Sequence, residues 1–169
     1  MNQHDVDELV DIVDEQDRVI KTVWRSQAYA EKLKYTRIVL AFIVNRHDRL
    51  AILRRTPEKA VAPNALALVG GGVQSGETYL QACKREIQEE ALFEVRDHQI
   101  KELGYLNPFS DSMCFFKTIY EVKVDHDTIS FNPADFSELL WLTPQEVLAR
   151  HDHDVLANGL AHLIKSYYL

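Results

Sequence analysis

The chain has 169 residues, a usual length for one domain and long enough to bury a substantial core. Its 26 acidic and 19 basic residues give a net charge of −7, which argues against a general nucleic-acid binder, because such proteins need a basic surface to neutralise phosphates. No apolar run reaches the roughly 18 residues of a membrane span and the acidic N-terminus lacks the features of a signal peptide, so we expect a cytoplasmic protein with no membrane partner.

The N-terminal part of the chain predicts two hairpins separated by a helix. Residues 8–13 alternate enough for a short strand, and residues 18–20 can pair back with it across a turn. Residues 26–34 are compatible with a helix. The run 38–44 is continuous and rich in β-branched residues, which is typical of a central strand covered on both faces, and residues 49–54 return as its hairpin partner.

A strand is predicted over residues 65–69, leading into a loop of glycines at 70–72. A helix is predicted from about residue 78 to 91, because a glycine, an acid and a threonine able to cap precede a segment of helical periodicity. The apolar stripe of this helix consists of Leu80, Cys83, Ile87 and Ala91. The order is therefore strand, glycine loop, helix.

The C-terminal half continues the alternation of strands and helices. Residues 99–106 and 113–124 are predicted strands, a capping box with proline opens a helix over about 144–150, and a last helix covers about 154–167. No internal repeat is present. We expect an α/β (α+β) fold with a single domain over residues 1–169, in which helices cover both faces of a mixed sheet.

Three glutamates of the predicted helix are spaced for one shared face. Glu86, Glu89 and Glu90 stand at i, i+3 and i+4, so their Cβ atoms lie about 5–6 Å apart. Carboxylates this close repel one another unless cations lie between them, and hard ions such as Mg²⁺ and Mn²⁺ prefer oxygen ligands. Glutamate-rich helix faces are usually only solvated. The longer pattern around these residues favours a metal site.

The longer pattern is G-x5-E-x7-R-E-U-x-E-E-x-G-U, where U is apolar, and it runs from Gly71 to Phe93 with one exception. It resembles the Nudix box of the Nudix hydrolase family, which places the box at residues 71–93. The segments VDIVDEQDRVI, LRRTPEK and WLTPQEV resemble the subgroup related to isopentenyl-diphosphate isomerase, with an N-terminal hairpin extension at about 6–34. The exception is Leu92 in place of the usual glycine, so we expect the left-handed helix stop to be less easily made.

The resemblance implies roles for the residues of the box. The implied ligands of the Mg²⁺ or Mn²⁺ cofactor are the side chains of Glu86, Glu89 and Glu90 and the main-chain carbonyl of Gly71. Glu89 and Glu90 also count as catalytic residues. Arg85 is expected to pair with Glu77 and to hold the loop against the helix.

Two further roles depend on residues outside the box. We expect Glu90 to be the general base, with Glu138 as the alternative, because related enzymes use a glutamate of the helix or of a later loop. Arg55 and Lys59 follow the second hairpin strand, and the isomerase-like subgroup uses this arrangement to bind a diphosphate. Arg54 could share that task. The alternative is that these are simply exposed basic residues.

Other residues have both a functional and a structural interpretation. Three aromatic residues could stack on a nucleobase, although such residues near strands are more often core: Phe109, Phe115 and Phe131. The cluster His151–His153 lies at the end of a predicted helix, which favours a structural role. Cys83 and Cys114 form no disulfide framework or zinc pattern, so we expect buried thiols.

The resemblance implies a metal-dependent hydrolase whose partner is a small diphosphate: a nucleoside di- or triphosphate, or a nucleoside diphosphate linked to another moiety. A homodimer is possible, since many relatives dimerise. Isopentenyl-diphosphate isomerase is a weaker alternative, because residues 64–69 carry no cysteine, histidine or tryptophan where that enzyme needs them. A non-catalytic nucleotide-binding module is another, opposed by the intact carboxylates. Loops outside the box set the substrate, which the sequence leaves open.

Overall fold

The structure is a computed structural model, and it describes residues 7–109, 115–152 and 154–169. Its strands are β1 (Leu9–Val13), β2 (Val19–Trp24), β3 (Thr36–Val44), β4 (Leu50–Arg55), β5 (Leu66–Ala67), β6 (Val69–Gly72), β7 (Ile100–Leu106), β8 (Phe115–Lys123) and β9 (Phe136–Leu142). Its helices are α1 (Arg25–Ala30), α2 (Tyr79–Glu90), α3 (Pro144–Ala149) and α4 (Leu160–Tyr167). None of the described helices is long and apolar enough to cross a membrane.

Strand β3 lies at the centre of a mixed sheet. It pairs in parallel with β8 along its whole length, and antiparallel with β6 and the start of β4. Its side chains alternate between two cores because successive residues of a strand point to opposite faces. Val39, Ala41 and Ile43 pack with α2, whereas Leu40 and Phe42 pack with α3 and α4. The prediction of a central strand covered on both faces is confirmed.

The sheet extends on both sides of β3. Strand β7 adds antiparallel to β8, and β4 pairs antiparallel with both β5 and β9. The sequence pattern predicted no strand at residues 136–142, where side chains of the C-terminal half of β9 are only partly buried. Strand β9 is nevertheless paired with β4 from Leu50 to Arg55, and this pairing includes three residues with predicted functions, Arg54, Arg55 and Glu138.

The N-terminal hairpin of β1 and β2 forms a separate two-stranded sheet, as predicted. It docks beside the glycine strand, where the Ser75 N–H donates to the carbonyl of Leu9 at 2.8 Å. Helix α1 is shorter than the predicted 26–34, since it ends at Ala30 and Lys32 adopts a left-handed conformation with φ of 50°.

The three glycines belong to a strand rather than to a loop, so this part of the prediction is wrong. The predicted strand over 65–69 is divided into β5 and β6, and β6 includes Gly70, Gly71 and Gly72. Gly70 has a φ of 153°, and a Cβ there would overlap the carbonyl oxygen of Val39 and lie 3.0 Å from the Cα of Leu40. Only glycine allows β6 to approach β3 this closely.

Helix α2 begins and ends close to the predicted positions. The Thr78 hydroxyl accepts from the Gln81 N–H at 3.2 Å while the Gln81 side chain accepts from the Thr78 N–H, which is a complete capping box. Cys83 and Ile87 are buried as predicted, but Leu80 is 38% exposed, so the predicted stripe is wrong in the first turn. The predicted helix over 154–167 starts only at Leu160, because Asn158 and Gly159 have left-handed conformations.

Candidate active site

A cavity of about 370 Å³ lies where β6, α2 and the loop after β4 meet the N-terminal hairpin. It brings together two groups that the sequence predicted separately, the helix carboxylates and the basic residues after β4. The charged residues of these groups that line the cavity are Glu86, Glu89, Glu90, Arg55 and Lys59. Charges of both signs therefore face one space, as a site for a metal ion and a phosphorylated ligand requires.

Glu86 is held in a pocket that the absence of a side chain at Gly71 makes possible. A Cβ on Gly71 would lie 2.6 Å from Cδ and 2.8 Å from Oε2 of Glu86. Glu86 as a residue is only 8% exposed, and its carboxylate accepts from Nη1 of Arg85 at 2.7 Å. Burial raises the pKa of Glu86 to about 7, because the pull of Arg85 in the opposite direction is weaker and Glu89 adds repulsion.

Glu90 lies deeper, at the C-terminal end of α2. Its Oε2 accepts from the Gly70 N–H at 2.9 Å, so the glycine strand fixes one of its oxygens. Burial, together with the charge of Glu86, raises the pKa of Glu90 well above its usual range. Two buried carboxylates on one helix face are costly when charged, and a cation would offset that cost.

Glu89 is the most exposed of the three glutamates, with 40% of its side chain accessible, and it accepts from Nη1 of Arg85 at 3.3 Å. Among the described residues, no three acidic, histidine or cysteine side chains already enclose a metal-sized space. The three carboxylates are instead held by nitrogen donors, since Arg85 donates to Glu86 and Glu89 and the Gly70 N–H donates to Glu90. The donor set suits a hard divalent ion, which would compete with Arg85 for two of the carboxylates.

Arg85 joins the helix to the chain that enters it. Its guanidinium donates to both oxygens of Glu77, at 2.8 and 3.0 Å, and to the carbonyl of Gly72 at 2.8 Å. A bidentate pair of this kind fixes orientation as well as distance. Arg85 thus connects the segment before α2, strand β6 and the helix carboxylates.

The basic residues after β4 differ in how far their nitrogens are already engaged. Arg55 donates through Nε to the carbonyl of Val61 at 3.0 Å, and Lys59 pairs with the buried carboxylate of Asp135. Arg54 does not line the cavity. Its guanidinium bonds Glu138 and Asp154, each at 2.8 Å. The structure therefore separates Arg54 from the two basic residues that face the glutamates.

Glu138 lies on β9 and does not line the cavity. It stands opposite Arg54 in the register of β4 and β9, and its Oε2 accepts from Nε of Arg54. The sequence places Glu138 and Arg54 in different predicted roles, but their side chains form one ion pair. The structure thus brings Glu90 into the cavity and leaves Glu138 outside it.

Of the three phenylalanines considered for nucleobase stacking, the structure brings Phe115 to the cavity. Phe109 lies against Tyr35, with ring centroids 5.8 Å apart, and Phe131 packs on the core beside α2. His151 is exposed in a 3₁₀ turn after α3, while Cys114 and His153 lie outside the described residues. Cys83 is a buried free thiol, as expected, and burial raises its pKa to about 12.

Leu92 makes the helix stop that glycine usually makes. Its φ is 57°, which is the left-handed conformation, and its side chain is 48% exposed. The left-handed stop is therefore made by leucine, whose side chain is strained in this conformation. Non-glycine residues in this conformation cost roughly 1–2 kcal/mol.

The sequence patterns missed the contribution of the N-terminal hairpin to the cavity. Glu8 and Arg25 line it and form an ion pair at 2.8 Å, and Arg37 of β3 lines it as well. Arg37 is bound to Asp17 of the hairpin turn at 2.6 Å. Residues so far apart in sequence give no local signal, so only the docking of the hairpin reveals them.

Comparison with known proteins identifies the family. The NUDIX domain model matches residues 34–163. A Nudix hydrolase of Deinococcus radiodurans is 40% identical over 164 residues, covering 96% of this chain and 95% of that protein. The chain belongs to the Nudix family. An uncharacterized Nudix hydrolase of Nostoc sp. is 39% identical over 163 residues, covering 95% of this chain and 96% of that protein.

Solved structures agree with this assignment. The crystal structure of DR0079 from Deinococcus radiodurans has a TM-score of 0.86 and 38% identity, covering 96% of this chain and all of that one. A MutT protein from Methanosarcina mazei has a TM-score of 0.63 at 18% identity, covering 79% of this chain and 93% of that one, and shows the fold alone. The Nudix fold is confirmed, and the protein is a pyrophosphohydrolase of the Nudix type. The relatives are Nudix hydrolases and do not support the isomerase subgroup.

Proposed function

We propose that this Nudix protein uses a divalent metal ion to cleave the diphosphate bond of a nucleoside di- or triphosphate, or of a nucleoside diphosphate linked to another moiety. The observation that carries the proposal is one cavity shared by the buried carboxylates of Glu86 and Glu90 and by two basic residues, Arg55 and Lys59. Buried carboxylates attract a cation, and basic groups beside them attract phosphate oxygens.

The metal ion in this proposal is Mg²⁺ or Mn²⁺, held by Glu86, Glu89 and Glu90 with the carbonyl of Gly71. Support comes from the oxygen-only donor set and from the raised pKa values of Glu86 and Glu90, which mark carboxylates that gain much from a nearby cation. When bound, such an ion neutralises phosphate charge and lowers the pKa of its water. Arg85 keeps the helix and β6 in register while the carboxylates bind.

Glu90 is our choice of general base, with Glu89 as the second catalytic carboxylate. The Gly70 N–H holds Oε2 of Glu90, which orients the carboxylate toward the cavity floor. A carboxylate held in this way beside a bound metal ion can take a proton from the attacking water. Glu138 suits the role less well, because Arg54 neutralises it outside the cavity.

Arg55 is the side chain best suited to bind the diphosphate. Its Nε is used by the carbonyl of Val61, and its terminal nitrogens have no hydrogen-bond partner among the described residues. Those nitrogens can therefore donate to phosphate oxygens without breaking an existing contact. Lys59 adds positive charge while paired with Asp135.

A panel assay tests this function. The purified protein is incubated with Mg²⁺ or Mn²⁺ and with nucleoside di- and triphosphates, nucleotide sugars, dinucleoside polyphosphates and isopentenyl diphosphate, and products are separated by chromatography. We expect metal-dependent cleavage of a nucleoside diphosphate, and Glu90→Gln should lower kcat by about 100-fold or more with an unchanged circular dichroism spectrum. Glu138→Gln, outside the cavity, is the control and should keep kcat. Absence of any cleaved product would exclude the proposal.

The two alternative functions lack supporting observations in the described residues. An isomerase would need reactive groups before the box, but β5 and β6 supply none, and the Cys83 thiol is buried in the core. A non-catalytic module would tolerate loss of the helix carboxylates, whereas this cavity retains all three. The same panel distinguishes them, because an isomerase yields dimethylallyl diphosphate and a non-catalytic module yields no product.

A further inference from the structure

The outer wall of the active-site cavity is built by a part of the chain that precedes the matched NUDIX domain. Its lining includes Val10 of β1 and Arg25, Ala28 and Tyr29 of α1, all before residue 34. The proposed metal ligands and diphosphate-binding residues all lie within the matched domain. The N-terminal hairpin and α1 therefore add to the cavity a wall that the matched domain itself does not supply.

This outer wall is fixed to the catalytic helix. The carboxylate of Asp17, at the hairpin turn, accepts from Nε of Arg37 at 2.6 Å, from the Tyr79 hydroxyl at 2.9 Å and from the Tyr105 hydroxyl at 3.0 Å. Tyr79 is the first residue of α2. Anchoring at three points from three other elements gives the wall a defined position relative to Glu86 and Glu90, which a specificity site requires.

The chemistry of the outer wall suits a flat ring. Tyr29 is 66% exposed, and its side chain has no ring contact or hydrogen bond within the described residues. Phe115 of β8 lines the same space, with the small Ala28 also in the wall. A second cavity of about 400 Å³ shares Ala28, Tyr29, Thr36 and Phe115 with the first, so the space continues past the two rings. Aromatic walls of this kind stack on nucleobases.

The charged groups nearby favour a nucleobase over an alkyl chain. The second cavity is also lined by the exposed Lys32 and Lys34, whose ammonium groups can donate to the acceptor atoms of a base but find no partner on an isoprenoid tail. Arg25 uses Nη1 to bind Glu8 at 2.8 Å, which holds a guanidinium with further donors at the wall. Such donors match the carbonyl and ring-nitrogen acceptors of a base or the hydroxyls of a ribose.

We infer that Tyr29 and Phe115 flank a subsite for the nucleobase of the substrate, an inference that rests on the proposed diphosphate hydrolysis. The unreacting half of the substrate is thus a nucleoside, and α1 with the start of β8 determines how well it binds. The phosphates lie toward Arg55, and the base lies toward Tyr29.

The test compares the variants Tyr29→Ala, Tyr29→Phe and Phe109→Ala. The third is the control, because Phe109 is an exposed aromatic residue that packs on Tyr35 away from the cavity. Substrates are adenosine diphosphate and ribose 5-diphosphate, which lacks the base. Tyr29→Ala should raise KM for adenosine diphosphate about tenfold, with kcat within about twofold and no change for ribose 5-diphosphate, because base stacking is lost. Phe109→Ala should behave like the unmodified protein, and Tyr29→Phe should reverse most of the KM increase seen in Tyr29→Ala, because its ring can still stack on the base.

A binding measurement separates failure of this inference from failure of the proposed function. Calorimetry with adenosine monophosphate and ribose 5-phosphate needs no cleavage, and the base should tighten binding about tenfold in the unmodified protein but not in Tyr29→Ala. Loss of catalysis on every diphosphate with this difference intact would overturn the hydrolase proposal alone. Equal effects of Tyr29→Ala on ligands with and without a base, or no effect on either, would overturn the subsite.

Discussion

Replacing Gly71 by alanine perturbs the proposed metal site through one atom. The new Cβ would lie 2.6 Å from Cδ and 2.8 Å from Oε2 of Glu86, whereas ordinary contacts begin at 3.4 Å. Gly72, the next residue of the same strand, has nothing within 4 Å of an added Cβ. The same substitution at these two positions therefore differs mainly in whether Glu86 must move.

The expected magnitude follows from the displacement. The Glu86 carboxylate must shift by roughly 1 Å, and misplacement of this size in an active site costs about 100-fold in rate. Because Glu86 is 8% exposed and held by Arg85, it has little room to adjust. We expect Gly71→Ala to weaken Mn²⁺ binding by about 10–100-fold and to lower kcat/KM by about 100-fold, since the main-chain carbonyl remains but the carboxylate is displaced.

The assay measures the Kd for Mn²⁺ by calorimetry and kcat/KM with a cleaved substrate, with circular dichroism to establish that each variant folds. Gly72→Ala should match the unmodified protein within about threefold in both quantities, as expected for an added methyl group with no neighbours. If Gly71→Ala binds Mn²⁺ and turns over as well as Gly72→Ala does, then Glu86 is not a ligand at the observed position. If both variants fail equally, the cause is the strand backbone and not the carboxylate.

Three further predictions concern other parts of the site. Without metal, Glu86 has a pKa of about 7 against an ordinary value of 4.5, so its contribution to stability is complete below pH 4.5 and is lost as the pH rises through 7. Urea unfolding in chelator should show the free energy of unfolding falling over this range, with buried Glu90 contributing in the same direction. Glu86→Gln should remove up to about 3 kcal/mol of that fall, and an unchanged pH dependence in this variant would contradict the raised pKa of Glu86. Leu92→Gly should raise the free energy of unfolding by about 1 kcal/mol because it removes left-handed strain. The control Leu80→Gly, at an exposed helical position, should lower it by about 1 kcal/mol. Thermal unfolding measures both changes, and a change of the same sign in the two variants would refute the strain at Leu92. Arg55→Ala should lower kcat/KM by about 10–100-fold with stability unchanged. Arg54→Ala should instead destabilise the fold by about 1–2 kcal/mol, because it removes the pairs with Glu138 and Asp154. If kinetics and unfolding show the reverse pattern, Arg54 and not Arg55 binds the diphosphate.

Local sequence signals predicted the elements that build the centre of the molecule. The continuous apolar run at 38–44 became β3 because a strand buried on both faces needs no alternation. Helix α2 follows from its threonine cap and its periodic apolar residues, which also place Glu86, Glu89 and Glu90 on one side. These features depend on neighbours within a few residues, so they can be read along the chain.

Other features depend on contacts between distant residues. Arg54 and Glu138 are 84 positions apart, and only the antiparallel register of β4 and β9 shows that they neutralise each other. The left-handed Leu92 could not be predicted, because its side chain argues against the conformation that the end of α2 imposes. Likewise, no pattern indicated that the glycines pair with β3 as a strand.

The sequence by itself determined the family, the central strand and the helix that carries three glutamates, because spacing along a helix or strand fixes which side chains share a face. Tertiary structure alone decided which charges meet. It buried Glu86 and Glu90 against the glycine strand, paired Arg54 with Glu138 away from the cavity, and brought Tyr29 of α1 and Phe115 of β8 to the lining of one cavity. Burial and long-range pairing arise only when separate elements pack. They decide which carboxylate has a raised pKa and which basic side chain keeps nitrogens available for a ligand.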